Sequence, residues 1–294
     1  MNKRRIARHL QYELFLLPAL LAFTAFTIYP LLKTLLYSFT DFDGVLHTYN
    51  FVGLKNYFAV FQDDVMKQAL FNTLFYTFFT VLLINLISIP LAVLLDKQQR
   101  IKTFERAVFF FPSVVSALLI GYIWSYILSP LGTGALNSIL KNFGLGPVGW
   151  TANAWTAKFS IIAVAVWTNA GWHTVVNIAY LQAISPTYYE AAAIDGASRF
   201  EQFRYITIPL LAPALTVNTL LLLTNGLKVY DLPYALTKGG PGYSNYTVTQ
   251  IIIQRGISER QYGVSTALAT IFILLVMVIA VIQFTTMRKR EVQE

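Results

Sequence analysis

The side chains that could do chemistry in this chain are amides and aromatic rings, not nucleophiles or metal ligands. Trp167-Thr-Asn-Ala-Gly-Trp-His173 is followed by Asn177, and then by Asn218, Asn225-Gly226, Lys228, Tyr230 and Asp231. Amides bond hydroxyl edges and aromatic rings stack on apolar ring faces, which suits a polyhydroxylated ligand. Asn169 and Trp172 stand about one turn apart, on roughly one helix face. Gly226 is expected to break or thin its helix near a ligand. These residues lie in strongly apolar stretches, where an unpaired amide is costly, so they must point into a path or between helices. The alternative is that the same asparagines are interhelical glue with packing tryptophans. Asn72 and Asn85 read as such glue. Other chemistry is missing. There is no cysteine, and His9, His47 and His173 are the only histidines, which excludes disulfides, thiolate sites and a histidine-rich metal centre. No G-x-x-x-x-G-K-[ST], H-E-x-x-H or G-x-S-x-G occurs, so the chain has no phosphate loop for ATP and no support for a hydrolase.

The elements that must carry these residues are membrane spans. Of 294 residues, 56% are hydrophobic and 12% charged, about half the charge of a soluble domain. The aromatic content of 15% excludes disorder. Six stretches reach the length a spanning helix needs: Leu14–Leu36, Ala69–Leu95, Ala107–Leu128, Phe159–Leu181, Ile208–Leu227 and Val264–Phe284. The first lacks a small-x-small cleavage site and holds Pro18 and Pro30, so it reads as a span and not as a signal peptide. Residues 1–13, with Lys3, Arg4, Arg5 and Arg8, read as a cytoplasmic or interfacial terminus, either a short interfacial helix or a frayed end. No linker or repeat marks a second domain, so 1–294 reads as one transmembrane domain.

Basic residues set the orientation. Six spans put both termini on one side, together with 13 of the 22 lysines and arginines, including Lys97, Arg100, Lys102, Arg106, Arg199, Arg204 and Arg288-Lys-Arg290. The positive-inside rule makes that side cytoplasmic. The +8 net charge therefore reads as basic cytoplasmic loops, not as a nucleic-acid footprint. Acidic residues lie outside the spans or at their rims, with Glu13 and Asp231 nearest, which argues against an ion-coupled carrier. The chain also lacks a gating-arginine series and a selectivity-filter sequence.

One cytoplasmic loop, 185–207, is distinctive. Ser185 can cap, Pro186 suits the first helical position, and Glu190-Ala-Ala-Ala favours helix. Gly196 then turns the chain, Phe200, Phe203 and Tyr205 supply an apolar face, and Pro209 marks the start of the next span. Small alanines and the Glu190 carboxylate would suit a soluble docking partner; an ordinary helical hairpin is the alternative.

The spacing E-A-A-x3-G-x9-I-x-L-P, met here by Glu190, Ala191, Ala192, Gly196, Ile206 and Pro209, resembles the cytoplasmic-loop motif of binding-protein-dependent ABC importer permeases. Ile208 stands where that motif has leucine. Asp195-Gly196-Ala197 and Leu236-Thr-Lys-Gly-Gly-Pro241 resemble the carbohydrate subgroup, similar to the larger membrane subunit of maltose transporters. That subunit's large outer domain is absent here.

The resemblance implies an all-α membrane protein with six transmembrane helices, the type I ABC importer transmembrane domain, in a bacterial cell membrane. It implies a permease subunit, not an enzyme, for sugar or oligosaccharide uptake. Its partners would be a second permease, two ATPase subunits and an extracytoplasmic substrate-binding protein, with ATP and Mg held by the ATPase and no cofactor in this chain. Glu190, Ala191, Ala192, Asp195, Gly196 and Pro209 would couple to the ATPase. Asn169, Trp172, Asn225, Gly226 and Tyr230 would line the substrate path. A polyol or glycerol-phosphate importer and a non-transporting six-helix scaffold remain as alternatives.

Overall fold

A computed structural model describes residues 14–46, 48–97, 102–131 and 133–288. The reading of residues 1–13, and the basic residues Arg100, Lys289 and Arg290, lie outside the described residues. In chain order the helices are α1 (Leu14–Tyr37), α2 (Lys55–Gln62), α3 (Asp64–Lys97), α4 (Lys102–Val114), α5 (Ala117–Ile127), α6 (Ala135–Asn142) and α7 (Ala154–Leu181). There follow α8 (Pro186–Ile194), α9 (Arg199–Leu210), α10 (Ala212–Leu227), α11 (Asp231–Thr237), α12 (Val248–Ile253) and α13 (Tyr262–Arg288). Among the described residues the only strand-like pairing is an isolated bridge between Thr40 and Phe51.

Four helices, α1, α3, α7 and α13, are long and apolar enough to cross a bilayer unbroken. The third and fifth expected spans exist as bent pairs, a correction to the continuous helices read from sequence. The pair α4 and α5 meets at 94°, and α9 and α10 meet at 66°. At the first break the β-branched Val114-Val115 precedes Ser116, whose backbone is extended at ψ 134°. At the second, Pro213 has no N–H to offer the carbonyl of Pro209 one turn back, which weakens the helix at Leu211, where it bends.

The chain forms two compact units, one from Met1–Asp63 with Ile252–Ile273 and one from Asp64–Ile251 with Leu274–Glu294. In the first, α1 is exposed and apolar, as suits a helix that meets lipid. Beyond it Asn56 donates to the carbonyls of Ser38 (2.9 Å) and Thr40 (2.7 Å). Arg255 bridges Asp63 and Glu259, each at 2.6 Å. The Asn50 backbone N–H, and then its side-chain amide, hold the Asp41 carboxyl below its ordinary value.

The second unit carries the site. α7 is its axis and packs on α3, α4 and α10. Its apolar centre includes Tyr76, Ile84, Ile161, Val164 and Leu222, and a second cluster gathers Ala92, Leu95, Ile178, Leu181 and Leu211. Gly171 is where α4 crosses α7: a Cβ there would overlap the backbone carbonyl of Phe109. Only glycine allows that approach.

Candidate functional site

In the second unit α3, α4, α5, α7, α10 and the turn into α11 line an open cavity of about 480 Å³. Asn169, Asn225, Gly226 and Tyr230 all line it, so most of the residues singled out for a ligand path come together. Thr80, Ser113, Thr168, His173, Lys228 and Asp231 add polar groups, and the two charges among them are opposite. Asn169 also donates to the carbonyl of Ala165 at 2.8 Å, and the Tyr230 ring stacks on Tyr234 with centroids 5.2 Å apart. Trp172 is not in this lining. It is 36% exposed, and its ring meets His173 edge-on at 4.7 Å. Of the two expectations for Gly226, a break or a thinning, the structure has the second: the helix continues through it to Leu227. It sits in the last turn of α10, where a Cβ would lie 3.0 Å from the Thr77 methyl of α3. Its bare surface lets α3 and α10 approach closely.

A buried polar chain backs this cavity. His173 Nδ1 lies 3.0 Å from Asn218 Oδ1, Asn218 Nδ2 donates to Asn177 Oδ1 at 2.7 Å, and Asn177 Nδ2 donates to Ser88 Oγ at 3.1 Å. Asn177, Asn218 and Ser88 are fully buried. The sequence shows two of these as isolated amides in apolar spans; their alignment with Ser88 is a tertiary fact. Asn72 and Asn85 do bridge segments. Asn72 donates to the carbonyls of Ser244 (2.8 Å) and Tyr246 (2.9 Å), and Asn85 reaches Thr219 at 3.4 Å. The segment Leu236–Pro241 borders a separate cavity of about 540 Å³ with Tyr122 and Tyr126.

The distinctive loop folds as a helical hairpin. Ser185 starts α8 without a side-chain cap; its hydroxyl instead pairs with Thr187 at 2.8 Å. The capping box lies further on, where Ser198 and Glu201 satisfy each other's backbone N–H groups at the start of α9. The S-x-x-E spacing is the signal that would have found it. Gly196 has φ +82°, with its N–H bonded to Ala193 and that of Ala197 to Ala192. This pair of bonds is a Schellman termination, and the left-handed residue in it is usually glycine. Tyr189 ties the hairpin to Thr207 at 3.1 Å. α8 buries no residue; Glu190, Ala191 and Asp195 are exposed and Ala192 half-buried, while Pro209 lies in the last turn of α9.

The sequence signature described as "Binding-protein-dependent transport system inner membrane component" matches residues 84–291. The chain belongs to this family. It is therefore a membrane permease component of a transport system, a class of proteins that are not enzymes, and a multi-pass protein of the plasma membrane. The permease is 32% identical over 283 residues to the probable starch degradation products transport system permease protein AmyD of Thermoanaerobacterium thermosulfurigenes, covering 96% of this chain and 95% of that one. It is 31% identical over 277 residues to the trehalose/maltose transport system permease protein MalF of Thermococcus litoralis, covering 94% and 93%. A chain of a bacterial alginate ABC transporter, crystallised with an alginate pentasaccharide-bound periplasmic protein, superposes with a TM-score of 0.86 at 22% identity, covering 97% and 96%. That likeness concerns the fold. The permease has the all-α type I ABC importer transmembrane fold, its six spans counted with each bent pair as one.

Proposed function

We propose that this permease forms half of the translocation path of an ATP-driven importer of neutral saccharides. The observation that carries this reading is the cavity where Asn169, Asn225 and Tyr230 meet. Its volume falls in the range of small-ligand sites, roughly 300–1,000 Å³. Amides and hydroxyls there can bond sugar hydroxyls, and the Tyr230 ring offers an apolar face. Lys228 and Asp231 offset each other, which suits a neutral ligand better than a phosphate ester. The relatives named for starch degradation products and for trehalose and maltose support the same class.

The partners in this reading are a second permease, two copies of a separate ATPase that holds ATP and Mg, and an extracytoplasmic substrate-binding protein. Both termini are cytoplasmic. The hairpin of α8 and α9 docks in the ATPase, with Glu190 in a charge-assisted contact and Ala191, Ala192 and Asp195 against its surface. Exposed Ile194, Phe200 and Tyr205 give that hairpin an apolar surface to bury. Its internal ties at Gly196 and Tyr189 make it stiff, so closure of the ATPase would move the permease as a rigid body.

The test is reconstitution in liposomes with these partners. Labelled maltose, maltotriose and trehalose are offered through the binding protein, and ATP hydrolysis is followed in parallel. The complete assembly is expected to couple hydrolysis to uptake, and the permease alone to hydrolyse nothing, because it has no phosphate loop. Turnover by the isolated permease, or uptake that needs no ATPase, overturns the reading.

A further inference from the structure

We propose that His173 is a ligand-contacting acceptor, held by the chain Asn218–Asn177–Ser88 as the neutral tautomer protonated at Nδ1, so that Nε2 accepts a hydrogen bond from a ligand hydroxyl. The ligand's class rests on the saccharide-importer reading; the tautomer does not.

The polar chain runs from Ser88, at its deep end, to the cavity. In the proposed arrangement the Ser88 hydroxyl accepts from the Asn177 amide N–H, and the Asn177 oxygen accepts from Asn218. Asn218 is left with its oxygen facing His173 Nδ1 at 3.0 Å. Two lone pairs cannot share that distance, so with the amides in this arrangement Nδ1 carries a proton. His173 is 4% exposed, yet it borders the cavity, whereas Asn218 does not. With Nδ1 engaged by Asn218, the other ring nitrogen, Nε2, has no partner among the described residues and is the one left for a ligand in the cavity. No carboxylate pairs with the ring among the described residues. A cation within a membrane span without one is costly, which keeps the ring neutral and Nε2 bare.

A bare Nε2 discriminates by chemistry. A sugar hydroxyl can donate to it. An ether oxygen, or the carboxylate of a sugar acid, has no proton to give and meets it lone pair to lone pair. His173 thereby selects a hydroxyl edge at one position of the ligand and disfavours an acidic saccharide there. Asn218, Asn177 and Ser88 are positioning residues: they act through the ring and touch no ligand.

Two measurements test this. In the assembled transporter labelled with [15N]histidine, the spectrum of wild type minus His173→Asn isolates one imidazole. The expected result is a protonated Nδ1 and a bare Nε2. A protonated Nε2, alone or together with Nδ1, overturns the proposal. Asn218→Leu removes the acceptor and is expected to give a mixture of tautomers; an unchanged spectrum means the amide chain does not set the ring. The second measurement is uptake of labelled maltose, maltotriose and trehalose. His173→Asn keeps a donor near Asn218 but loses the group at Nε2. His173→Gln keeps an acceptor near Nε2. The first is expected to raise KM about 2- to 10-fold with kcat unchanged, the worth of one neutral hydrogen bond, and the second to restore much of it. Equal KM values for wild type and His173→Asn overturn the ligand contact. Wild type that carries none of the three sugars defeats the saccharide reading, and the spectrum then still decides the tautomer.

Discussion

Lys158 Nζ lies 2.7 Å from the carbonyl oxygen of Ser244, and the lysine is only 3% exposed. No carboxylate pairs with it among the described residues. Asn245 Oδ1 at 3.3 Å and the Trp155 ring at 5.6 Å complete its surroundings, so a cation is held by dipoles and a π face. The same Asn245 oxygen accepts from Tyr76 at 2.7 Å, and its amide donates to the carbonyl of Gly240 at 2.8 Å. With Asn72, these contacts pin the segment after α11 onto α3 and α7.

This arrangement ranks two substitutions. Asn245→Ala strands the Tyr76 hydroxyl, the Gly240 carbonyl and one contact of Lys158, at about 1–3 kcal/mol for each buried group left unpaired. Lys158→Met removes the ammonium together with its desolvation cost, so the net loss is smaller. Thermal unfolding of the purified complex is expected to show a clearly lower Tm for Asn245→Ala than for Lys158→Met. The reverse order would mean that the lysine, not the asparagine, organises the segment.

Gly196 and Glu190 separate backbone strain from docking. A Cβ at Gly196 meets nothing within 4 Å, so its requirement is the φ of +82° alone. Gly196→Ala is expected to cost about 1 kcal/mol, and Gly196→Asn less, because asparagine visits the left-handed region more readily. Both should leave the permease in the membrane. Glu190 is exposed and its reversal should not unfold α8. Glu190→Lys is expected to abolish uptake and weaken ATPase co-purification, by turning attraction into repulsion. Normal uptake by that variant, with no crosslink from a cysteine at Ala192 to the ATPase, would reduce the hairpin to a connector.

How much of this was legible in the sequence depends on range. The four unbroken spans follow from local hydropathy, which no tertiary contact has to supply. The turn at Gly196 was legible because a Schellman end is closed within six residues. The breaks at Ser116 and Leu211 were not, since β-branched residues and paired prolines occur in continuous spans too. Lys158 falls one residue before the expected span Phe159–Leu181, and its burial depends on Ser244 and Asn245, far along the chain. Asn177 and Asn218 were visible as costly amides, but only the packing of α3, α7 and α10 shows that they pair with each other and end on His173. At Gly226 the sequence left a break and a thinned helix open, and only the approach of Thr77 from α3 decides for the second.

The orientation is checked by reporters. The excess of basic residues in the loops that share a side with the termini predicts that a reporter fused after Asn142 is outside and one after Arg100 inside. Alkaline phosphatase and green fluorescent protein fusions give opposite signals on the two sides. The inverted pattern would put the α8–α9 hairpin outside, away from any ATPase, and would end the coupling argument.

The cavity itself is tested by two neighbours with different jobs. Asn225 borders the cavity, whereas Gly226 also carries the contact with Thr77. If the cavity is the sugar path, Asn225→Ala removes hydrogen bonds to the sugar and leaves the α3–α10 contact as it is. Losing them is worth roughly 1–3 kcal/mol, so KM for uptake is expected to rise about 5- to 150-fold while the complex still assembles. Asn169→Ala should act in the same direction. Gly226→Val instead drives two methyl groups toward a Thr77 side chain that already lies at 3.0 Å from the first added carbon. Overpacking of this kind costs about 1–3 kcal/mol, and it falls on assembly and Tm, not on KM. Size-exclusion profiles and uptake kinetics on the same preparations read the two effects apart. If Asn225→Ala fails to assemble while its KM stays normal in whatever complex forms, the asparagine is interhelical glue and the cavity is not the path.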